Sequence, residues 1–352
     1  MRILVGMMHP KHVYMFKNFI RAMTKKGHKV EIVAIDKDLT ERLLTDFQLP
    51  YTNIGKNPSS ILGKIMAIPQ WAHQTYRIAR RFEPDLFIGQ AFPHFAYVSA
   101  LLKKPYIIFE DTESAHAVQA ITFPFASSIV TPSCYKEHLG GKHVRFNGFF
   151  ELAYLHPEYF TPDPSVLDEI GLAPGDRYII VRFVSWEASH DMGQHGIRDK
   201  VGLVKMLEQY GRVLITSEGA LPPELKPYQI RVSPEKLHDL LYYATLYVGE
   251  GGTTAAEAAV LGTPSVYISS LVGKMGNFID LEENYGALYS FTDESAALSK
   301  MVKLLENTVI KDNWRSKREQ LLEDKIDVTS FMIWFIENYP RSFTEMKAPN
   351  NK

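Results

Sequence analysis

Three groups of residues have types and spacings suited to chemistry. The first lies in residues 246–268, LYVGEGGTTAAEAAVLGTPSVYI. An apolar run stops at Gly249, Gly251 and Gly252 follow, and Thr253 opens an Ala-rich segment of high helix propensity. Gly262 and Pro264 end it as a C′ glycine and a nearby proline should, and SVYI reads as the next strand. At a strand–glycine turn–helix junction the first helical N–H groups point outward without partners. Together with the helix dipole they form a seat for phosphate. Thr253 and Thr254 could add hydroxyl hydrogen bonds, although N-capping explains one of them without a ligand. Glu257 lies one turn in, and helical side chains lean back toward the N-terminus. A carboxylate on an Ala/Val surface needs a partner, so a hydroxyl pair on the phosphate carrier is expected to meet it.

The second group comprises His12, beside Lys11 and near His9, and the acids Glu110, Asp111 and Glu113, which follow an apolar strand. Open α/β sheets bind ligands at the carboxyl ends of their strands. Clustered carboxylates raise one another's pKa, and an imidazole titrates near working pH, so these residues suit proton transfer. The plain alternatives are a helix-start histidine and loop acids that cap a helix.

The third group is SWEASHDMGQHG, residues 185–196. Ser185, Trp186, Glu187, His190 and Asp191 are candidates for contacting a substrate, with His190 also a catalytic candidate. His190, Asp191 and His195 form a weak metal pattern, and no Asp-x-Asp motif is present, so no metal or other cofactor is expected. Arg182 would reach a diphosphate if strand alternation exposes it, and would otherwise pair with an acid. Ser217 and Glu218, at another strand end, are further donor contacts.

The elements that must position these groups alternate strand and helix. RILVG, an amphipathic segment over 12–26 and KVEIVAI open a βαβ unit, and strands recur at 85–89, 105–110 and 127–132. The first turn, GMMHPKH, has no G-x-G-x-x-G, which disfavours the usual dinucleotide site. Residues 156–176 hold four of the 20 prolines and read as a linker. A second alternation begins at 177. The expected organisation is an N-terminal Rossmann-like domain over 1–156, a linker over 157–175, a second Rossmann-like domain over 176–325, and a C-terminal helix and tail over 326–352. The aromatic-rich stretch 328–339 is expected to pack back across a neighbouring domain.

Between 58 and 82, Ile61, Ile65, Ile68, Trp71 and Ile78 fall at helical spacing among Lys64, Arg77, Arg80 and Arg81. Core packing with a basic edge is the expectation, peripheral docking on an anionic membrane the alternative, and Pro69 should kink or interrupt the helix. A formal net charge of −1 argues against a general nucleic-acid binder. One cysteine, Cys134, precludes an internal disulfide, and no apolar run is long enough for a signal core or a membrane span. A cytoplasmic protein follows as the expectation, peripheral at the inner membrane face under the docking alternative.

Two such halves, the proline-rich hinge and GGTTAAEAAVLGTPSV resemble the GT-B nucleotide-sugar enzymes. The transferase that moves N-acetylglucosamine onto a lipid-linked acceptor is the nearest chemistry. Its diphosphate glycine and its ribose glutamate, six residues on, fall on Gly251 and Glu257, and its histidine–valine pair falls on His12-Val13. Over nearly the full length the chain resembles the family of unknown function numbered 354, through PKHVYMFK, FEDTE, TFPFA, TPSCY, RFVSWEASHD, ITSEG and GEGGTTAAEAAVLGTPS. The resemblance implies a UDP-sugar donor and a glycan, lipid-linked or small-molecule acceptor, with His12 or Glu110 as base. A second likeness is to the non-hydrolysing UDP-N-acetylglucosamine 2-epimerases. Their catalytic glutamate falls on Glu110, but their aspartate falls near Gln90, and an amide takes no proton at neutral pH. A non-catalytic sugar-nucleotide binder is the third reading.

Overall fold

The computed structural model describes residues 1–37, 39–184, 196–230, 232–270 and 272–348. The chain folds as two α/β units, one formed by Met1–Tyr159 with Ile326–Lys352 and the other by Phe160–Lys325. Ser185, Trp186, Glu187, His190, Asp191 and His195 lie outside the described residues.

In the first unit seven short strands carry near-continuous apolar runs, as strands covered on both faces should. They are β1 (Arg2–Met7), β2 (Lys29–Asp36), β3 (Tyr51–Lys56), β4 (Leu86–Gly89), β5 (Tyr106–Phe109), β6 (Ser128–Pro132) and β7 (His143–Phe146). They form one parallel sheet in the order β3-β2-β1-β4-β5-β6-β7. The winding direction reverses beside β1, so the crevice between the ends of β1 and β4 is the place where such sheets accept ligands.

In the second unit the strands are β8 (Tyr178–Phe183), β9 (Arg212–Ser217), β10 (Leu246–Gly249), β11 (Ser265–Ile268) and β12 (Leu288–Phe291), in the parallel order β12-β11-β10-β8-β9. Here the reversal falls between β8 and β10. The proline-rich stretch is not a bare tether, because Phe160 already belongs to the second unit and the short helix Ser165–Glu169 buries Val166 and Leu167. The aromatic stretch forms the helix Val328–Glu337 within the first unit. There Thr329 donates to the Ala153 carbonyl at 2.8 Å and Phe331 stacks on Phe146.

One expectation about residues 58–82 needs correction. Ile61–Phe82 is assigned as one helix with Pro69 inside it, capped by Ser60 and held by buried Trp71, Thr75, Ile78 and Ala79. Its first two turns are not core: Ile61, Leu62, Ile65 and Met66 are 45, 76, 54 and 78% exposed. Helical spacing shows that a stripe exists but not that anything covers it. Among the described residues no helix is long and apolar enough to cross a membrane.

Three histidines sit neutral inside the first unit. Burial depresses His12 to about 4, His94 to about 3 and His143 to about 4, with nearby cations adding to the effect at His12 and His143. A base depressed in the folded state contributes stability above its unfolded pKa near 6.5, and that stability is lost as pH falls through the folded value. The melting temperature should therefore drop steadily from pH 6.5 to 4. His94→Phe should flatten part of that fall, since the His94 ring already packs among Phe92, Phe95 and Trp71. Equal melting temperatures at pH 7 and 4 would contradict this account.

Candidate functional site

Each unit gathers polar groups at its own reversal point. In the first unit, Pro10 starts the helix Pro10–Lys25 directly after β1, with His9 as its N-cap, and so sets His12 against the strand ends. His12 is 5% exposed. Its Nδ1 accepts the backbone N–H of Met8 at 3.0 Å, so in the neutral ring the proton sits on Nε2, which donates to Gln90 Oε1 at 2.8 Å. Gln90, just after β4, points its amide nitrogen at Asp111 Oδ1, 3.4 Å away. Asp111 follows β5 and makes a short ion pair with Lys11, whose ammonium also lies 3.9 Å from Glu151. Burial alone would depress Lys11, but Asp111, Glu151 and Glu110 outweigh it and raise its pKa, so Lys11 stays charged.

Glu110 ends the same strand. Its Oε1 accepts the N–H groups of Asp111 and Thr112 at 3.1 and 3.0 Å, and its Oε2 accepts Ala91 N–H at 3.3 Å. Burial and the neighbouring Asp111 charge push Glu110 up to about 7 against these three bonds. Glu113 turns aside and accepts the backbone N–H of Lys136. In this arrangement one His12 ring nitrogen accepts a backbone donor and the other, in the neutral ring, carries the proton. Glu110, pushed up to about 7, is the other proton-transfer candidate named from the sequence.

In the second unit Gly249 ends β10 opposite Arg182 of β8, and Arg182 in turn stands opposite Thr216 of β9. The helix starts at Gly252 with Gly251 as N-cap, a residue with no side chain to cap it. The proposed capping by Thr253 or Thr254 is therefore not used; Thr254 is buried and Thr253 half-buried, inside the first turn. Gly251, Gly252 and Thr253 are all partly open, and the first-turn N–H groups of a helix have no partner within it. Arg182 lies against this turn: a Cβ built on Gly251 would come within 2.9 Å of its Nε. It also pairs with Glu218 at 2.7 Å, the acid pairing that was the alternative foreseen for Arg182. Ser217 donates to the Gly219 carbonyl next to that pair. At Gly249 a Cβ would meet the Arg182 carbonyl at 2.9 Å and the Tyr247 hydroxyl at 2.5 Å. Since backbone cannot yield cheaply, Gly249→Ala should destabilise the unit by about 1–3 kcal/mol, read as a lower midpoint in denaturant. An unchanged midpoint would refute the close approach.

Glu257 corrects the argument that led to it. It is 4% exposed, and His238 Nε2, from the helix Leu237–Tyr243, lies 3.1 Å from its Oε1. The protein supplies a partner, so burial of the acid does not by itself call for a ligand. His238 was not legible as a site residue, since nothing in SPEKLHDLLYY marks which residue faces the glycine helix. A 3-10 turn at Pro234–Lys236 precedes the helix Leu237–Tyr243. Glu250 was missed as well. Its carboxylate accepts Val184 N–H at 2.9 Å and Ile197 N–H at 2.7 Å, fastening both flanks of residues 185–195 to the end of β10. A buried acid between strand-end glycines was the available signal. Among the described residues no His/Cys/Asp/Glu group is arranged to hold a metal ion.

Two doubly wound parallel sheets, each with polar groups at its reversal point, define the GT-B class of α/β protein. The chain belongs to the family described as protein of unknown function DUF354, whose sequence model matches residues 1–334. An uncharacterised protein of Methanocaldococcus jannaschii is 23% identical over 289 residues, 77% of this chain and 83% of that one. Among solved structures, a putative UDP-N-acetylglucosamine 2-epimerase from Listeria monocytogenes superposes with a TM-score of 0.68 at 13% identity, covering 99% of this chain and 98% of that one. The spinosyn forosaminyltransferase SpnP gives 0.62 at 13% identity, covering 96% of this chain and all of the other. At these identities the likeness establishes the fold.

Proposed function

We propose that the chain is a glycosyltransferase that moves a sugar from a nucleotide diphosphate, UDP as first choice, to an acceptor hydroxyl. The observation that carries this is the glycine turn at the β8/β10 reversal with Arg182 beside it. There the first-turn N–H groups, the helix dipole and a guanidinium would share the charge of a leaving diphosphate, with no metal required. Glu257, oriented by His238, would take the ribose. Ser217 and Glu218 would line the donor.

In the transfer step the acceptor O–H bond breaks and its proton passes to Glu110. The acceptor oxygen forms a bond to the sugar's anomeric carbon, and the bond from that carbon to the phosphate oxygen breaks, its electron pair leaving with the diphosphate. One proton acceptor suffices. Epimerisation is the second reading, favoured by Glu110 at the end of β5, but it needs a second acid/base group, and the residue facing His12 is the amide of Gln90. The reactions separate in heavy water: incubation with UDP-N-acetylglucosamine should release UDP once an acceptor is present and leave carbon 2 without deuterium. Deuterium at carbon 2 of recovered donor would overturn transfer in favour of epimerisation.

A further inference from the structure

The hydrogen bonds around His12 assign it a role that neither the acid/base expectation nor the fold supplies. We propose that His12 is a neutral hydrogen-bond donor to a ligand oxygen, its Nε2–H being presented by the Met8 backbone, and that Gln90 Oε1 stands in for that oxygen. The proposal deepens the sugar-nucleotide reading and rests on it for the ligand class, an oxygen-rich acceptor such as a sugar hydroxyl or a phosphate.

The geometry leaves the ring one function. Met8 N–H occupies Nδ1 at 3.0 Å, and this donor is fixed, since Met8 directly follows β1. A neutral imidazole then carries its proton on Nε2, aimed at 2.8 Å toward the Gln90 carbonyl oxygen. Protonating the ring as well would oppose the Met8 N–H with a second donor, so the backbone bond selects against imidazolium. Burial disfavours a second proton most, and Lys11 on the same helix and Lys37 after β2 add to it; the Gln90 oxygen and Asp111 work the other way, and Asp111 is engaged by Lys11. The rings of Phe92 and His9 close the remaining faces at 5.2 and 5.9 Å. Of the pair, His12 is buried and Gln90 half-buried, so the amide is the one that an incoming oxygen can displace. Gln90 is thus a positioning residue: it holds the donor in line when the site is empty.

The test uses nitrogen-15-labelled full-length protein and long-range proton–nitrogen spectra of the histidine rings, with His12 assigned by its loss in His12→Gln. Across pH 6 to 8 the His12 ring should show protonated Nε2 and bare Nδ1. Gln90→Leu should keep that pattern, because Met8 alone sets it. Gln90→Glu should raise the pH at which the ring takes its second proton by about 1 to 3. A ring protonated at Nδ1, or doubly protonated at pH 7 in the parent, overturns the proposal. These spectra need no substrate, so they decide the donor state even if the sugar-nucleotide reading fails. The ligand half is read by UDP release from UDP-N-acetylglucosamine. His12→Gln, which keeps an N–H near the Nε2 position, should retain at least ten times the rate of His12→Ala. Equal loss in both variants overturns donation to the ligand.

Discussion

Glu110→Gln should lower the transfer rate by about 10²- to 10⁴-fold, the range expected when a positioned proton acceptor is removed, while UDP binding stays within about threefold of the parent. Glu110 is placed for that effect by burial at the end of β5, which with Asp111 brings it up to about 7. The parent rate should then climb with pH through an apparent pKa near that value, and the limb should vanish in the variant. The same shift has a stability side. A carboxyl whose folded pKa exceeds its unfolded value near 4.5 contributes stability below pH 4.5, and this is lost as pH rises through about 7. As pH rises from about 4.5 to 7 the parent should therefore lose melting temperature that the neutral amide variant keeps. Gln also puts an N–H₂ against a backbone donor, at Ala91 if the remaining oxygen stays on Asp111 and Thr112. A lower melting temperature at pH 5 is accordingly expected, and the rate comparison must be made on folded protein. A variant that turns over at the parent rate would remove Glu110 from the mechanism.

Arg182→Gln should weaken UDP binding by about 10- to 100-fold, the scale of one charge-assisted hydrogen bond at a partly buried site. The guanidinium lies against Gly251 and is partly neutralised by Glu218 at 2.7 Å. Two results should go together: Glu218→Gln frees the cation and leaves affinity equal or tighter, and affinity for uridine without phosphate is insensitive to either change. Isothermal titration measures all of these. An Arg182→Gln variant that binds UDP as well as the parent would show that the glycine turn alone, or some other place, carries the phosphates.

Much of the scaffold was legible because parallel strands buried on both faces leave unbroken apolar runs, as in FIG at β4 and YIIF at β5. The glycine turn was legible for a similar local reason. Gly262 takes φ +80° to stop the helix that Gly251 begins, so both ends were written as glycines. What the chain did not disclose depends on contacts distant in sequence. The partner of Glu257 is 19 positions away at His238, and the stripe over Ile61–Met66 reads like core until its open face is seen. His12 is the sharpest case. Its residue type fits a base, yet a single backbone N–H from Met8 fixes which nitrogen holds the proton. No pattern of residue types encodes that choice.

The central claim, a nucleotide diphosphate seated on the glycine turn of the second unit, is tested most directly by melting the full chain with UDP, with uridine and with no addition. Ligand at a hundred times its dissociation constant adds about 2.7 kcal/mol to the folded state. UDP should therefore raise the melting temperature clearly while uridine raises it little, and Arg182→Gln should lose most of the difference. If UDP leaves the parent's melting temperature where uridine leaves it, the phosphate seat is not there.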